Sequence, residues 1–431
     1  MNYRETLDFL YARLPMFHRI GAAAYKHDLS TTIEISRILG NPEKLFPAIH
    51  IAGTNGKGSV AHLMASVLYE CGYKTGLFTS PHLKDFRERI RVNGTIIPKS
   101  YVAGFVNKYK NRFDHLKPSF FEYTFALAMD YFRSQQVDIA VIEVGMGGRL
   151  DSTNVVHPIL TVITNIGFDH MQFLGSTLEK IACEKVGIIK PGIPVVIGET
   201  QEDVRQVFIQ KASERNASIT FADQEWSITK IEQKGFSITK SLYRISDVEG
   251  VHDLNIDCPL TGNYQEKNLI TVMQALTELN NQEMKITSEK IIKGIQNVIK
   301  NTGLMGRWQI LGLSPLTICD TAHNAAGMKW VTEQINAMTF DNLHFVLGMV
   351  NDKDIDSVLA VLPCDASYYF CKADIPRGLD TQILHQKSLS HGLNGTTHAS
   401  VREALRNALL NAAKKDLVFI GGSTFVVAEV I

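Results

Sequence analysis

The chain has 431 residues, 45% of them hydrophobic, with 44 basic and 44 acidic side chains and a formal net charge of zero. That length supports two or three domains with substantial cores, and the balanced charge argues against a general binder of nucleic acid or anionic membrane. Six cysteines, none at C-x-x-C spacing, suggest neither a zinc site nor a disulfide framework and fit a reducing cytoplasm.

No apolar run is long enough to cross a bilayer, and the first residues lack the apolar core of a signal peptide. Residues 3–14 pattern as an amphipathic helix, residues 16–30 as irregular chain, and residues 31–39 as a second helix stopped by Gly40 and Pro42. The apolar run Ala48–Ala52 predicts a short buried strand. It feeds Gly53-Thr54-Asn55-Gly56-Lys57-Gly58-Ser59, after which Val60, Leu63, Met64, Val67 and Leu68 recur at helical spacing. Strand, glycine-rich turn and helix together are the context a phosphate-binding loop requires, the bland alternative being a turn that binds nothing. The glycines let the backbone approach an anion, the first helical amides point at it, and Lys57 reaches the terminal phosphates. The stretch departs from G-x-x-x-x-G-K-[ST] twice, with Ile51 in place of the first glycine and Gly58 in place of the hydroxyl. Without that hydroxyl, a cation on the phosphates needs protein ligands from elsewhere.

A strand over 75–78, a hairpin over 88–98 turning at Asn93-Gly94, helices over 99–112 and 119–135, and strands over 137–144 and 159–166 follow. Strands alternating with helices predict an α/β fold whose parallel sheet is covered on both faces, with chemistry beyond the carboxyl ends of the strands. Ser59, Ser80, Glu143 and His170 each follow an apolar strand at that end. The Ser80 hydroxyl and Glu143 carboxylate suit Mg2+, and the His170 imidazole suits it less well. Each has a bland alternative: a turn serine, a helix-start acid, a loop histidine. Lys185, in a helix over 178–189, has two readings: a lysine paired with a neighbouring carboxylate, or a carbamate that ligates a second cation. Residues 219–258 read as a small β appendage, helices open near 262–268 and cover 287–300, and Asn301-Thr302-Gly303 reads as a linker. Beyond it a second strand-helix alternation begins, which places the domains at 1–300 and 301–431. There Asp320-Thr321-Ala322-His323-Asn324 follows a strand. Asp320 either caps the next helix or accepts hydrogen bonds from a ribose. His323 would face a transferring phosphate, and Arg307 would place positive charge across the cleft.

The motifs GTNGKGS at 53–59, TSPHL at 79–83, ERIRVNG at 88–94, VIEVGMGGRLDSTN at 141–154, TNIGFDH at 164–170, EKVGIIKPG at 184–192, GNYQEKN at 262–268 and DTAHN at 320–324 occur together. Over nearly its whole length the chain resembles the folylpolyglutamate synthase / dihydrofolate synthase family of the Mur ligase superfamily. The resemblance implies a P-loop, parallel-sheet ATP-binding domain with a small β appendage, a Rossmann-like α/β domain after it, and a substrate cleft between them. It assigns Asn55, Gly56, Lys57, Gly58 and Ser59 to the ATP phosphates, and Asn268, Arg307 and Asp320 to further ATP contacts. Ser80, Glu143 and His170 match its Mg2+ ligands, two ions being expected, and Lys185 matches its carbamylated lysine. His323 matches a residue near the reacting groups, and Asp151 a motif acid counted with Lys57, Lys185 and His323 as catalytic. Thr321 stands where glycine is common, and residues 18–29 do not follow the pterin-site pattern.

The implied reaction joins L-glutamate to dihydropteroate or a folate through an acyl phosphate, releasing ADP and phosphate. The implied enzyme is a cytoplasmic monomer with no nucleic-acid or membrane partner. Two rivals fit less well. A cell-wall Mur ligase would need a further domain before Gly53, and the stretch there is too short. A GTPase-like switch would need Asn-Lys-x-Asp, whereas Asn351-Asp352-Lys353-Asp354 has the letters in another order.

Overall fold

The computed structural model describes residues 1–15, 28–231, 239–351 and 353–431. Most of the 18–29 stretch set against the pterin pattern lies outside them. Eight strands form the first sheet: β1 (Ala48–Ala52), β2 (Thr75–Phe78), β3 (Ile90–Val92), β4 (Thr95–Ile96), β5 (Ile139–Glu143), β6 (Leu160–Ile163), β7 (Val195–Ile197) and β8 (Ile219–Phe221), in the spatial order β4-β3-β2-β5-β1-β6-β7-β8. All pair in parallel except the β3–β4 hairpin, which runs antiparallel along β2. β1, β2, β5, β6 and β7 are buried at every residue, as strands covered on both faces must be. The hairpin turns where its sequence predicts: Asn93 and Gly94 both have positive φ, 47° and 75°. A side chain at Gly94 would collide with the Asn301 carbonyl, so only glycine fits.

The helix Lys57–Glu70 is buried continuously from Gly58 to Leu68. A helix apolar on all sides needs cover on all sides. The sheet supplies one face, and the helices Gln265–Asn281 and Ser288–Gln296 the other, in one core with Leu63, Val67, Leu269, Met273 and Ile295. Gly294 permits the closest approach: a Cβ there would stand 2.5 Å from the Val67 Cα. The Gly294 carbonyl accepts from Ser66 Oγ at 2.6 Å.

β9 (Trp226–Ile231), β10 (Ser241–Asp247) and β11 (Asp253–Cys258) form a separate antiparallel sheet whose Tyr243, Ile245 and Ile256 join that same core. The expected appendage therefore starts later than residue 219, because β8 hydrogen-bonds to β7 at the edge of the main sheet. The expected linker is also shorter. Asn301 and Thr302 end the helix Val298–Thr302, where the Asn301 amide donates to Ser66 Oγ and Glu70 Oε1 at 3.1 and 2.9 Å. Gly303, with φ 64°, then releases the chain.

The last sheet contains β12 (Gln309–Leu313), β13 (Leu316–Cys319), β14 (Leu343–Leu347), β15 (Ala366–Phe370), β16 (Gly395–Thr397) and β17 (Leu417–Gly421), in the order β12-β13-β17-β14-β15-β16. Only β12 runs antiparallel to its neighbour. Among the described residues no helix is long and apolar enough to cross a membrane.

Two glycine substitutions test this packing. Gly294→Val should lower the midpoint of thermal unfolding, since overpacking a tight contact costs about 1–3 kcal/mol. Gly104→Ala, in the helix Lys99–Phe113 with nothing within 4 Å of the added Cβ, should raise it slightly, by about 0.5–1 kcal/mol.

Candidate active site

Ile51 is in register with Glu143, Ala52 with Ile163 and Phe78 with Ile142. The segments that follow β1, β2, β5 and β6 therefore leave the sheet at one rim. There a cleft of about 550 Å³ opens, and every candidate residue named from the sequence lines it.

The phosphate loop is held from behind. Gly53, at φ 144°, packs so closely on Thr164 that no side chain fits, and Thr164 Oγ1 donates to the Asn55 carbonyl at 2.6 Å. Gly56, at φ 86°, packs against the Asn268 amide in the same way. Ile51, which breaks the usual pattern, is a buried residue within β1, so the loop starts two residues later at Gly53. Lys57 Nζ donates to the Gly53 and Thr54 carbonyls at 2.9 and 3.0 Å. Burial pushes its pKa down, against the pull of Glu143 and Asp169. Ser59 Oγ accepts from Gln265 Nε2 at 3.2 Å.

Gly58 lies between two charges. A Cβ there would stand 3.3 Å from Arg307 Nη2 and 3.6 Å from Glu143 Oε1. Glu143 is 4% exposed, and its Oε2 accepts from the Ser80 N–H at 2.9 Å. Burial pushes its carboxyl pKa up, while Lys57, that N–H, Arg307 and Arg89 draw it down. His170 enters the cleft from a left-handed backbone position, φ 50°, at the start of the short helix Met171–Leu174. Among the described residues no three His, Cys, Asp or Glu side chains cluster as a metal cage. A hydroxyl, one buried carboxylate and an imidazole beside a phosphate loop suit a cation that takes most of its ligands from phosphates and water, as Mg2+ does.

Lys185 is 4% exposed, and its Nζ donates to the Gly53 carbonyl at 2.7 Å. The carboxylate-paired reading fails, because neighbouring Glu184 binds Arg149 instead, at 2.7 Å. Burial, reinforced by the Lys57 charge, holds the Lys185 pKa well below the ordinary lysine value. Asp151 is buried at the edge of the cleft. Both its oxygens hold the loop: Oδ2 accepts from the Met146 N–H at 2.9 Å, and Oδ1 from the Thr153 N–H and hydroxyl at 3.0 and 2.5 Å.

Across the cleft, Asp320 is not a helix cap. Asn324 caps the helix Ala325–Asn336, accepting from the Gly327 N–H at 2.8 Å. Asp320 instead accepts from the Tyr264 hydroxyl, the Trp308 N–H and the Ala322 N–H at 2.5, 2.7 and 2.8 Å. Arg307 donates to the Thr321 hydroxyl, so the residue that departs from the family pattern buttresses the guanidinium. His323 stands with Nδ1 3.0 Å from the Thr321 carbonyl and Nε2 3.2 Å from Asp169 Oδ2.

Sequence reasoning missed Asp169 and Lys353 as site residues. They form a buried ion pair that joins the first sheet's rim to the second's. Burial opposes ionisation of Asp169, but His170, His323 and Lys353 outweigh it and hold its carboxyl well below the ordinary value. The signal was available: Asp169 closes the segment after β6, and Lys353 the segment after β14. The Asn55 and Asn324 amides also pair across the cleft, at 3.0 and 3.3 Å.

Comparison with known proteins bears directly on this arrangement. Residues 51–276 match the Mur ligase middle domain, and residues 306–424 the Mur ligase glutamate ligase domain. A dihydrofolate synthase/folylpolyglutamate synthase of Escherichia coli is 34% identical over 88% of this chain and 85% of its own length. A probable bifunctional folylpolyglutamate synthase/dihydropteroate synthase of Haloferax volcanii is 33% identical over all of this chain, which spans 50% of that longer protein. Among solved structures, Escherichia coli FolC in complex with DHPP and ADP superposes with a TM-score of 0.85 at 30% identity, covering 100% of this chain and 97% of that one. The bifunctional synthase of Yersinia pestis complexed with AMPPNP and Mn ion gives a TM-score of 0.84 at 26% identity, with 100% and 97% coverage. With both Mur ligase domains matched and the fold shared end to end, the chain belongs to the folylpolyglutamate synthase/dihydrofolate synthase family.

Proposed function

We propose that this protein uses ATP to join L-glutamate by an amide bond to a folate-type carboxylate, either dihydropteroate or a folate. The observation that carries this reading is the meeting of Arg307 with Gly58 and Glu143, where a group from the last α/β unit closes on the phosphate loop. The ATP-binding domain runs through Thr302, two residues past the expected boundary, and the chain from Gly303 on acts as the ligase domain that closes on it.

A carboxylate is a poor electrophile at neutral pH. The acceptor's carboxylate attacks the γ-phosphorus of ATP, the bond to the ADP oxygen breaks, and an acyl phosphate forms. The glutamate amine then attacks the acyl carbon, and phosphate leaves. Lys57 and Arg307 neutralise the charge that develops on the phosphoryl group. Asn55, Gly56, Gly58 and Ser59 cradle the phosphates with backbone and side-chain donors, while Asn268 and Asp320 hold the nucleoside. Ser80, Glu143 and His170 would hold Mg2+, which would supply positive charge against the transferring phosphoryl group. The relative complexed with AMPPNP and Mn ion supports nucleotide and metal use. His323 positions the reacting groups, and Asp151 shapes the turn over 145–148 rather than moving protons. Enclosure between two domains shields the acyl phosphate from water.

Lys185 carries a carbamate and so contributes to a second cation site. Its buried amine, with a pKa well below the ordinary value, has the neutral form that adds to CO2, forming an N–C bond and releasing one proton. The enzyme works as a monomer in the cytoplasm, a compartment in which its six free cysteines stay reduced.

Mass spectrometry should detect an amide product, and ADP release should require both glutamate and a pteroate or folate acceptor. ADP release indifferent to the acceptor would end this reading. Arg307→Ala should lower kcat by about 10²–10³, the usual loss for one transition-state donor. Glu143→Ala should raise KM for Mg-ATP more than KM for folate, and equal effects would remove Glu143 from the cation site. Exhaustive removal of CO2 should slow the enzyme and bicarbonate should restore it, whereas Lys185→Ala should respond to neither.

A further inference from the structure

Behind Arg307 the cleft holds two buried polar side chains that have no part in the mechanism above. His62 lies on the helix Lys57–Glu70, a little over one turn beyond Gly58. Arg91 lies on β3 in register with Leu77, whose side chain packs into the core of that helix, so Arg91 emerges on the same face. The two residues are 6% and 8% exposed and line the cleft with Gly303, Leu304 and Arg307.

Neither side chain is satisfied. His62 Nδ1 and Arg91 Nε have no hydrogen-bond partner, and among the described residues Arg91 makes no ion pair. Its Nη1 donates to the neutral Gly94 carbonyl at 3.1 Å. The acids nearby are engaged elsewhere. Glu88 accepts from the N–H groups of Leu83, Lys84 and Asp85, and Asp85 pairs with Arg87. Gly303 passes so near that a Cβ there would stand 3.2 Å from Nη1. Burial, with the Arg91 and Arg307 charges, pushes His62 down to about 3, so the ring is neutral and offers a hydrogen bond rather than a second charge.

A buried guanidinium without a counter-charge is costly, and it is normally kept where an anion completes it. The planar fork suits a carboxylate. ATP does not account for it, because the loop amides and Lys57 face the helix N-terminus while His62 lies past the first turn.

We propose that His62 and Arg91 form a subsite for one carboxylate of a glutamyl unit. The proposal rests on the glutamate-ligase reading. The carboxylate comes either from incoming L-glutamate or from a glutamyl tail already on the acceptor.

The test compares wild type with Arg91→Met, Arg91→Lys and His62→Gln for KM of L-glutamate, dihydropteroate, a folate monoglutamate and ATP. Amide formation by the wild type is scored first, and its absence defeats the ligase reading whatever the variants do. If the site takes incoming glutamate, Arg91→Met raises KM for L-glutamate about tenfold with both acceptors, as loss of a charge-assisted bond predicts. If it takes a tail, KM for the monoglutamate rises about tenfold while dihydropteroate, which has no glutamyl unit, is unaffected. Arg91→Lys recovers most of the loss in either case. A rise confined to ATP, or no change in any KM, overturns the subsite. Should Arg91→Met fail to fold, His62→Gln decides by the same four constants: a smaller rise in the same one supports the subsite, and none overturns it.

Discussion

Parallel pairing of β1 with β5 on one side and β6 on the other is the constraint on which the site depends. Parallel strands point the same way, so their carboxyl ends share a rim, and residues far apart in sequence emerge together. Gly53 leaves β1 two residues beyond Ile51, the partner of Glu143 at the end of β5, and packs on Thr164, the first residue after β6. The loop's shape then follows from close contact: Thr164 and Asn268 occupy the space that side chains at Gly53 and Gly56 would need.

The second α/β unit is joined to that rim by chemistry unlike a hydrophobic interface. Asp169 takes Lys353 on one oxygen and His323 on the other, while the Asn55 and Asn324 side-chain amides exchange hydrogen bonds. Such contacts are strongly directional, and an unpaired charge there would be costly. Arg307, Thr321 and Asp320 are thereby held opposite the phosphate loop. Among the described residues Arg307 donates only to the Thr321 hydroxyl and the Gly306 carbonyl, so its charge is left for the cleft.

What was legible in the sequence was local. Buried parallel strands announce themselves as apolar runs, Asn93-Gly94 dictates a tight turn, and chemistry-bearing residues placed at strand ends converge once the sheet is parallel. Pairings between distant elements were not legible. Nothing near Lys353 indicates that its partner is Asp169, and nothing near Asp151 indicates that Met146 and Thr153 consume its oxygens. β8 was assigned to the appendage because three residues carry too little pattern to distinguish an edge strand from a neighbouring hairpin. Asn301 and Thr302 looked like a linker because their helix-ending role depends on Ser66 and Glu70.

The Lys57 ammonium rests on the carbonyls of its own loop. Those two bonds make it an internal strut that braces the turn. In the role proposed for Lys57, nucleotide binding would exchange two neutral oxygens for a polyanion around the same nitrogen, without first coiling a slack segment. The entropy of arranging the loop is thus spent once, when the chain folds, instead of at every catalytic cycle.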